Sequence, residues 1–249
     1  MTGEKAPSGR WNWLGGAVAI LLGVAIGGVG VGLWQGAGVP GGAADRATTE
    51  AIVRDYLLNH GEIIFEAVER ARSRQSARAI GGQRSALETP FHGAWAGAAN
   101  GDVVLVQFFD YSCGYCRQSN ADVERLLRED PRLKVVWREY PVLGPESDAA
   151  ARMSLAAARQ GRFREFHTQM FALGRPTAAL LQQAAQQAGV QPEPESGEMR
   201  SELTRNAQMG RTIEAQGTPT FVVGDEVLQG AVGYEALRNA IRRAREART

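Results

Sequence analysis

From Leu14 to Trp34 the chain runs for 21 residues without a charge, rich in Val, Ile, Leu, Ala and Gly. At about 1.5 Å rise per residue such a stretch spans a hydrocarbon core of roughly 30 Å, which predicts a transmembrane helix. Lys5 and Arg10 precede it, and Trp11, Trp13 and Trp34 stand at its two ends. Positive charge on the cytoplasmic side and aromatic residues at both interfaces place the N-terminus inside and the rest of the chain outside. The competing reading is a cleaved signal peptide, since Gly42-Ala43-Ala44 offers small residues to a peptidase, although signal cores usually run about 7–15 residues. Both readings deliver the body to an oxidising compartment, either tethered to a bacterial inner membrane or soluble in the periplasm.

The pattern then changes. Residues 36–48 are Gly-rich and read as a flexible linker. In the segment 49–86, Thr49 is placed to cap a helix carrying Ile52, Val53, Tyr56 and Leu57 on one face. After Asn59-His60-Gly61 a second helix repeats the pattern with Ile63, Ile64, Phe65 and Val68. The polar stretch from Arg70 to Ala86, with Gly81-Gly82 inside it, reads as too loose to tie these helices to a core. Their apolar stripe therefore has two possible partners, the main domain or another copy of the chain through residues 49–80.

Residues 87–249 carry the main domain. Val103 to Phe109 is a continuous apolar run of strand type, followed from Cys113 by a helix with Val123, Leu126 and Leu127 inward. Leu133 to Glu139 reads as a second strand, parallel to the first because a helix lies between them. Residues 146–216 turn Ala-, Gln- and Arg-rich with helical spacing at 149–160, 163–173, 177–189 and 201–216. Thr220 to Val223, a Gly224-Asp225 turn and Val227 to Gln229 read as a hairpin, and 234–247 as a closing helix. This order describes an α/β, thioredoxin-like fold with an inserted helical subdomain, preceded by the membrane-spanning segment and a short helical N-terminal segment.

Charge changes this picture little. Lys and Arg number 28 against 27 Asp and Glu, so no net field draws the protein to nucleic acid. The Arg242-Arg243 to Arg248 run reads as a solvated helix face aided by the helix dipole.

The two cysteines change it more. Cys113-Gly114-Tyr115-Cys116 puts one sulfur at the first turn of a helix and the other a turn further in, near enough for a disulfide. N–H groups at the helix start favour the thiolate of Cys113, the expected nucleophile, leaving Cys116 to resolve mixed disulfides. A structural zinc site needs about four ligands, and with no second Cys pair and His60, His92 and His167 at no finger-like spacing, no metal or cofactor is expected. The alternative from another class is copper(I) sequestration, since two thiolates suit that soft ion.

Three segments in order, Phe108-Phe109-Asp110-Tyr111-Ser112-Cys113-Gly114-Tyr115-Cys116, Arg138-Glu139-Tyr140-Pro141-Val142-Leu143-Gly144 and Gly217-Thr218-Pro219-Thr220-Phe221, resemble the DsbA-like thioredoxin family. The amphipathic segment before them is similar, more loosely, to the N-terminal region of the ScsC and Com1 subgroup, where it can mediate oligomerisation. The resemblance implies a protein disulfide oxidoreductase or isomerase acting on exported client proteins that carry cysteines. It also implies a membrane redox partner of DsbB or DsbD type, a cis Thr218-Pro219 bond, and client binding by Thr218 and Pro219 beside Gly114 and Tyr115.

One departure stands out. Six residues before the first cysteine, where many relatives carry a buried acid that moves protons to the resolving thiol, this chain has Gln107. An amide cannot accept that proton, so the candidates for a relay are water, Asp110 or Glu139. Gly114 and Tyr115 bring no charge to Cys113, which predicts a potential less extreme than the roughly −120 mV of the strongest oxidants.

Overall fold

In a computed structural model the described residues are 43–248, and they divide after Glu66 into two units. The spanning segment or signal expected over 14–34 lies outside the described residues. Among those described, no helix is long and apolar enough to cross a membrane.

The first unit holds helix α1 (Ala43–Asn59) and the opening of α2 (Glu62–Gly81). The expected linker is thus already helical from Ala43. Thr49 is not its cap: it lies inside α1, where its hydroxyl donates to the Asp45 carbonyl at 2.8 Å, the back-bonding open to Ser and Thr within helices. Ile52, Val53, Tyr56, Leu58, Ile64 and Phe65 are exposed, Phe65 to 76%.

The second unit begins within α2. The stretch expected to be loose is helical to Gly81 and again over α3 (Arg84–Glu88). The reason is two isolated apolar residues in polar sequence. Ile80 and Leu87 are buried in a cluster with Val106, Phe108, Val136, Met209, Ile213 and Val222, so the segment is fastened to the sheet.

That sheet has five strands in the order β1-β3-β2-β4-β5. Its centre is β2 (Val103–Phe109), parallel to β3 (Leu133–Glu139) with Val103 opposite Leu133 and Phe109 opposite Glu139. Strand β4 (Thr220–Val223) runs antiparallel to β2, and β5 (Glu226–Gln229) antiparallel to β4. The edge strand β1 (Trp95–Gly97) escaped the sequence reading because three residues show no periodicity. Gly97 is required there: at φ +88 a Cβ would stand 2.2 Å from the Leu133 carbonyl oxygen.

Both faces of β2 are covered, which explains its unbroken apolar run. Leu105 and Phe109 belong to the cluster of Val123, Leu126 and Trp137, whereas Val106 and Phe108 face Ile80 and Leu87. Between β2 and β3 lies α4 (Gly114–Glu129). The inserted block is four helices, α5 (Pro145–Arg159), α6 (Phe163–Leu173), α7 (Ala178–Ala188) and α8 (Gly197–Thr212). Helix α8 starts four residues before the expected position because Ser196 caps it, accepting from Met199 N–H at 3.2 Å.

The closing helix α9 (Tyr234–Glu246) leaves Arg242 and Arg243 exposed, as expected of a solvated face, and adds surface ion pairs. Arg243 makes a two-pronged contact with Glu226, both bonds 2.7 Å, and Arg245 grips Asp102 at 2.6 and 2.7 Å and Asp130 at 2.9 Å.

Arg138 on β3 is 1% exposed. Its guanidinium meets Glu202 of α8 at 2.6 Å and Leu87 O at 3.0 Å, and also bonds the carbonyls of Ala86 and Thr89. Those carbonyls end the short helix α3 and lack partners of their own. Removing the arginine would leave buried Glu202 with only the exposed Arg205, 3.2 Å away, to match its charge. Arg138→Met is therefore expected to cost about 3–5 kcal/mol in urea unfolding, against less than about 1 kcal/mol for Arg242→Ala, whose pair with Glu246 is exposed on both sides.

Candidate active site

Strand β2 ends at Phe109, and the chain turns through Asp110, Tyr111 and Ser112 into α4. The turn is held by one carboxylate. Asp110 Oδ1 accepts from Ser112 N–H at 2.8 Å, and Oδ2 accepts from Val142 and Leu143 N–H at 2.8 and 3.0 Å. The Cys113 N–H donates to the Asp110 carbonyl at 3.1 Å. Asp110 thus ties the cysteine turn to the loop after β3.

Cys113 is the N-cap of α4, in extended backbone conformation, and its sulfur accepts from the Cys116 N–H at 3.3 Å. On the other side stands the Thr218 carbonyl oxygen, 3.1 Å from Sγ, on a Thr218-Pro219 bond that is cis. Both cysteines are free thiols here. Gly114 and Tyr115 are exposed beside them, Tyr115 to 67%.

The electrostatics separate the two sulfurs. A hydrogen bond from the Cys116 thiol, aided by the Thr218 hydroxyl and the N–H groups of Cys116 and Tyr115, outweighs burial and brings the Cys113 thiol down to about 5. Cys116 goes the other way, pushed far above the ordinary thiol range first by burial and then by its bond to Cys113. One sulfur is a thiolate at neutral pH and its neighbour is a held proton donor.

Gln107 is fully buried, and its Oε1 accepts from Trp137 Nε1 at 3.0 Å while its Nε2 has no partner. Glu139 is also buried, with Oε1 unpartnered. Burial, and then the Asp110 charge, push its carboxyl well above the usual carboxylate range despite a bond to Ser154. From Ser154 a buried polar chain continues through Tyr111 at 2.9 Å to His167 at 3.2 Å, whose other ring nitrogen meets Asn120 on α4 at 3.2 Å. Burial keeps His167 far below its ordinary value, hence neutral. Sequence reasoning did not find Ser154 or His167, because neither lies near the motif in the chain.

Cys113 opens on a groove of about 550 Å³ lined by Ser112, Gly114, Tyr115, Tyr140, Val142, Leu143 and 215–218. Cys113, Gly114, Tyr115 and Thr218 line it together. Pro219, Cys116, Gln107, Asp110 and Glu139 are buried rather than lining it. Among the described residues, no cluster of three or more His, Cys, Asp or Glu is arranged to hold a metal ion.

Comparison with known proteins places this arrangement. Residues 104–242 match the DSBA-like thioredoxin domain, and 45–78 match the copper resistance protein ScsC N-terminal domain. A linker-deletion mutant of ScsC from Proteus mirabilis superposes with a TM-score of 0.70 at 25% identity, over 86% of this chain and 100% of that one. A thioredoxin-like oxidoreductase from Silicibacter pomeroyi is 35% identical with a TM-score of 0.59, over 61% of this chain and 91% of that one. Among curated proteins, the sodium/proton antiporter NhaA 3 of Salinispora tropica is 30% identical over 159 residues, 58% of this chain and 24% of the antiporter. The chain thus spans about a quarter of the length of the curated relatives it matches. With the family model covering more than half of its residues, the chain belongs to the DSBA-like thioredoxin domain family.

Proposed function

We propose that the protein exchanges disulfides with exported, cysteine-bearing proteins in the periplasm, tethered to the inner membrane or released from it. The observation that carries this reading is the pairing of a thiolate at the start of α4 with a buried thiol one turn on. In the reductive direction the Cys113 thiolate attacks a client disulfide, one client sulfur leaves and takes a proton, and a mixed disulfide forms. Cys116 then loses its proton and attacks Cys113 Sγ, releasing the reduced client and leaving Cys113–Cys116 oxidised. Run backwards, the same steps oxidise a client, and a membrane partner of DsbB or DsbD type would reset the pair.

Resolution needs a proton acceptor for Cys116. Gln107 cannot serve, and the Asp110 carboxylate is engaged by three backbone N–H groups. Glu139 is the better candidate, a buried carboxyl with one oxygen free of partners. Burial and the Asp110 charge raise its affinity for a proton, the direction that a proton acceptor requires.

The exposed apolar residues of α1 and the start of α2, with the match of 45–78 to the ScsC N-terminal domain, support self-association through residues 49–80. An assembled form favours isomerase or reductase behaviour over oxidation. The copper(I) alternative needs both sulfurs as thiolates, and burial of Cys116 opposes that.

Two experiments test the reading. Alkylation of Cys113 in the reduced protein should titrate with a midpoint near 5, flat above it and falling below. The depressed value also stabilises the reduced fold, fully above about pH 8.5 and progressively less as pH falls through about 5. A midpoint in the ordinary thiol range would remove the nucleophile from the account. Cys116→Ser should trap a client mixed disulfide through Cys113, and Glu139→Gln, with Cys116 in place, should slow resolution about 100-fold, the lower end of the usual contribution of an acid-base group. Unchanged resolution would exclude Glu139 as the relay.

A further inference from the structure

The loop that places Thr218 against Cys113 is held by a side chain that belongs to neither sequence motif. Gln229, at the end of β5, lies directly opposite Thr220 in the β4–β5 register. Its Nε2 donates to the Glu214 carbonyl at 3.1 Å. Its Oε1 accepts from the Gln216 N–H at 3.1 Å and from the Thr220 hydroxyl at 2.9 Å. One amide therefore reaches the chain on both sides of Thr218-Pro219.

The loop has reason to need this. Glu214 sits at φ +56, a conformation that non-glycine residues adopt at some cost. Ala215 packs against the buried cluster of Ile80 and Leu87, but beyond it Gly217 has no neighbour within 4 Å of where a Cβ would stand. The Thr220 hydroxyl also lies 2.8 Å from the Gly217 carbonyl, and Gln75 of α2 bonds the Glu214 side chain. Pro219 is buried and its carbonyl accepts from the Gly230 N–H at 2.8 Å. Between Ala215 and Pro219 the loop is held by polar bonds, and Gln229 bonds residues on both sides of Thr218.

We propose that Gln229 is the positioning residue of the client-receiving loop, bracketing residues 214–220 so that the Thr218 backbone faces both Cys113 Sγ and an incoming peptide. This rests on the disulfide-exchange reading above. Gln229 touches neither sulfur nor client and acts through Thr218. A methionine of similar length at this position would leave the Gln216 N–H and the Glu214 carbonyl to water and loosen the loop.

The test compares Gln229→Met and Gln229→Glu with the full chain. For Gln229→Met the rate of exchange with a disulfide-bonded peptide, divided by the rate with glutathione disulfide, should fall about tenfold, the scale of one or two lost hydrogen bonds. The peptide loss should appear as a raised half-saturation concentration. The Cys113 alkylation midpoint should rise, because the Thr218 hydroxyl is one of the groups holding it down. Gln229→Glu keeps the two acceptor contacts but turns the donor into a carboxylate oxygen facing the Glu214 carbonyl, and its peptide-to-glutathione ratio should also fall below wild type. It decides the matter should Gln229→Met lose cooperative unfolding. A peptide-to-glutathione ratio and an alkylation midpoint equal to wild type in a folded variant would overturn the proposal. A wild-type protein that exchanges with neither substrate would instead overturn the disulfide-exchange reading itself.

Discussion

A negative sulfur held at the first turn of α4 is the constraint around which the rest is arranged. Cys113 is only 6% exposed, and burying a thiolate is costly unless donors replace the lost water. Here the Cys116 thiol and backbone N–H groups supply those donors, and the value near 5 measures how far they exceed the burial penalty. The same burial keeps Cys116 protonated. The division of labour between two identical side chains comes from their depth, their backbone positions and the bond from one sulfur to the other.

The fold serves that sulfur from three directions. Strand β2 and the Asp110 carboxylate set where α4 begins, and they fix the Val142-Leu143 loop relative to it. The hairpin of β4 and β5 brings the cis Thr218-Pro219 bond to the opposite side. Beneath both, the inserted helices bury Ser154 and His167 in a continuous polar chain with Tyr111. Arg138 ties α3 and α8 to β3, so the segment carrying the N-terminal helices ends on the same sheet as the active site.

Much of this was legible in the sequence, because the signals were local. The unbroken run 103–109 marks a strand covered on both faces, and Cys-x-x-Cys at a helix start predicts the reactive sulfur. The sequence misled where a few side chains outweigh composition. Arg70 to Ala86 reads as loose until Ile80 and Leu87 are seen buried under the sheet. Thr49 looks like a cap, yet the helix begins six residues earlier, at Ala43. Long-range polar contacts were not visible at all: nothing in the spacing of Gln229, Glu214 and Gln216, or of Glu139, Ser154 and His167, announces that they meet.

The account rests on the reduced pair being stabilised by the Cys113 thiolate to an intermediate degree. The value near 5 lies between the nucleophiles of DsbA at about 3.5 and thioredoxin at about 7. The most direct measurement is the reduction potential of the Cys113–Cys116 pair by equilibration with glutathione. A potential between about −120 and −270 mV, the values of those two proteins, is the result predicted. A pair at or below about −270 mV would show that the thiolate is not stabilised as described, and would contradict the account.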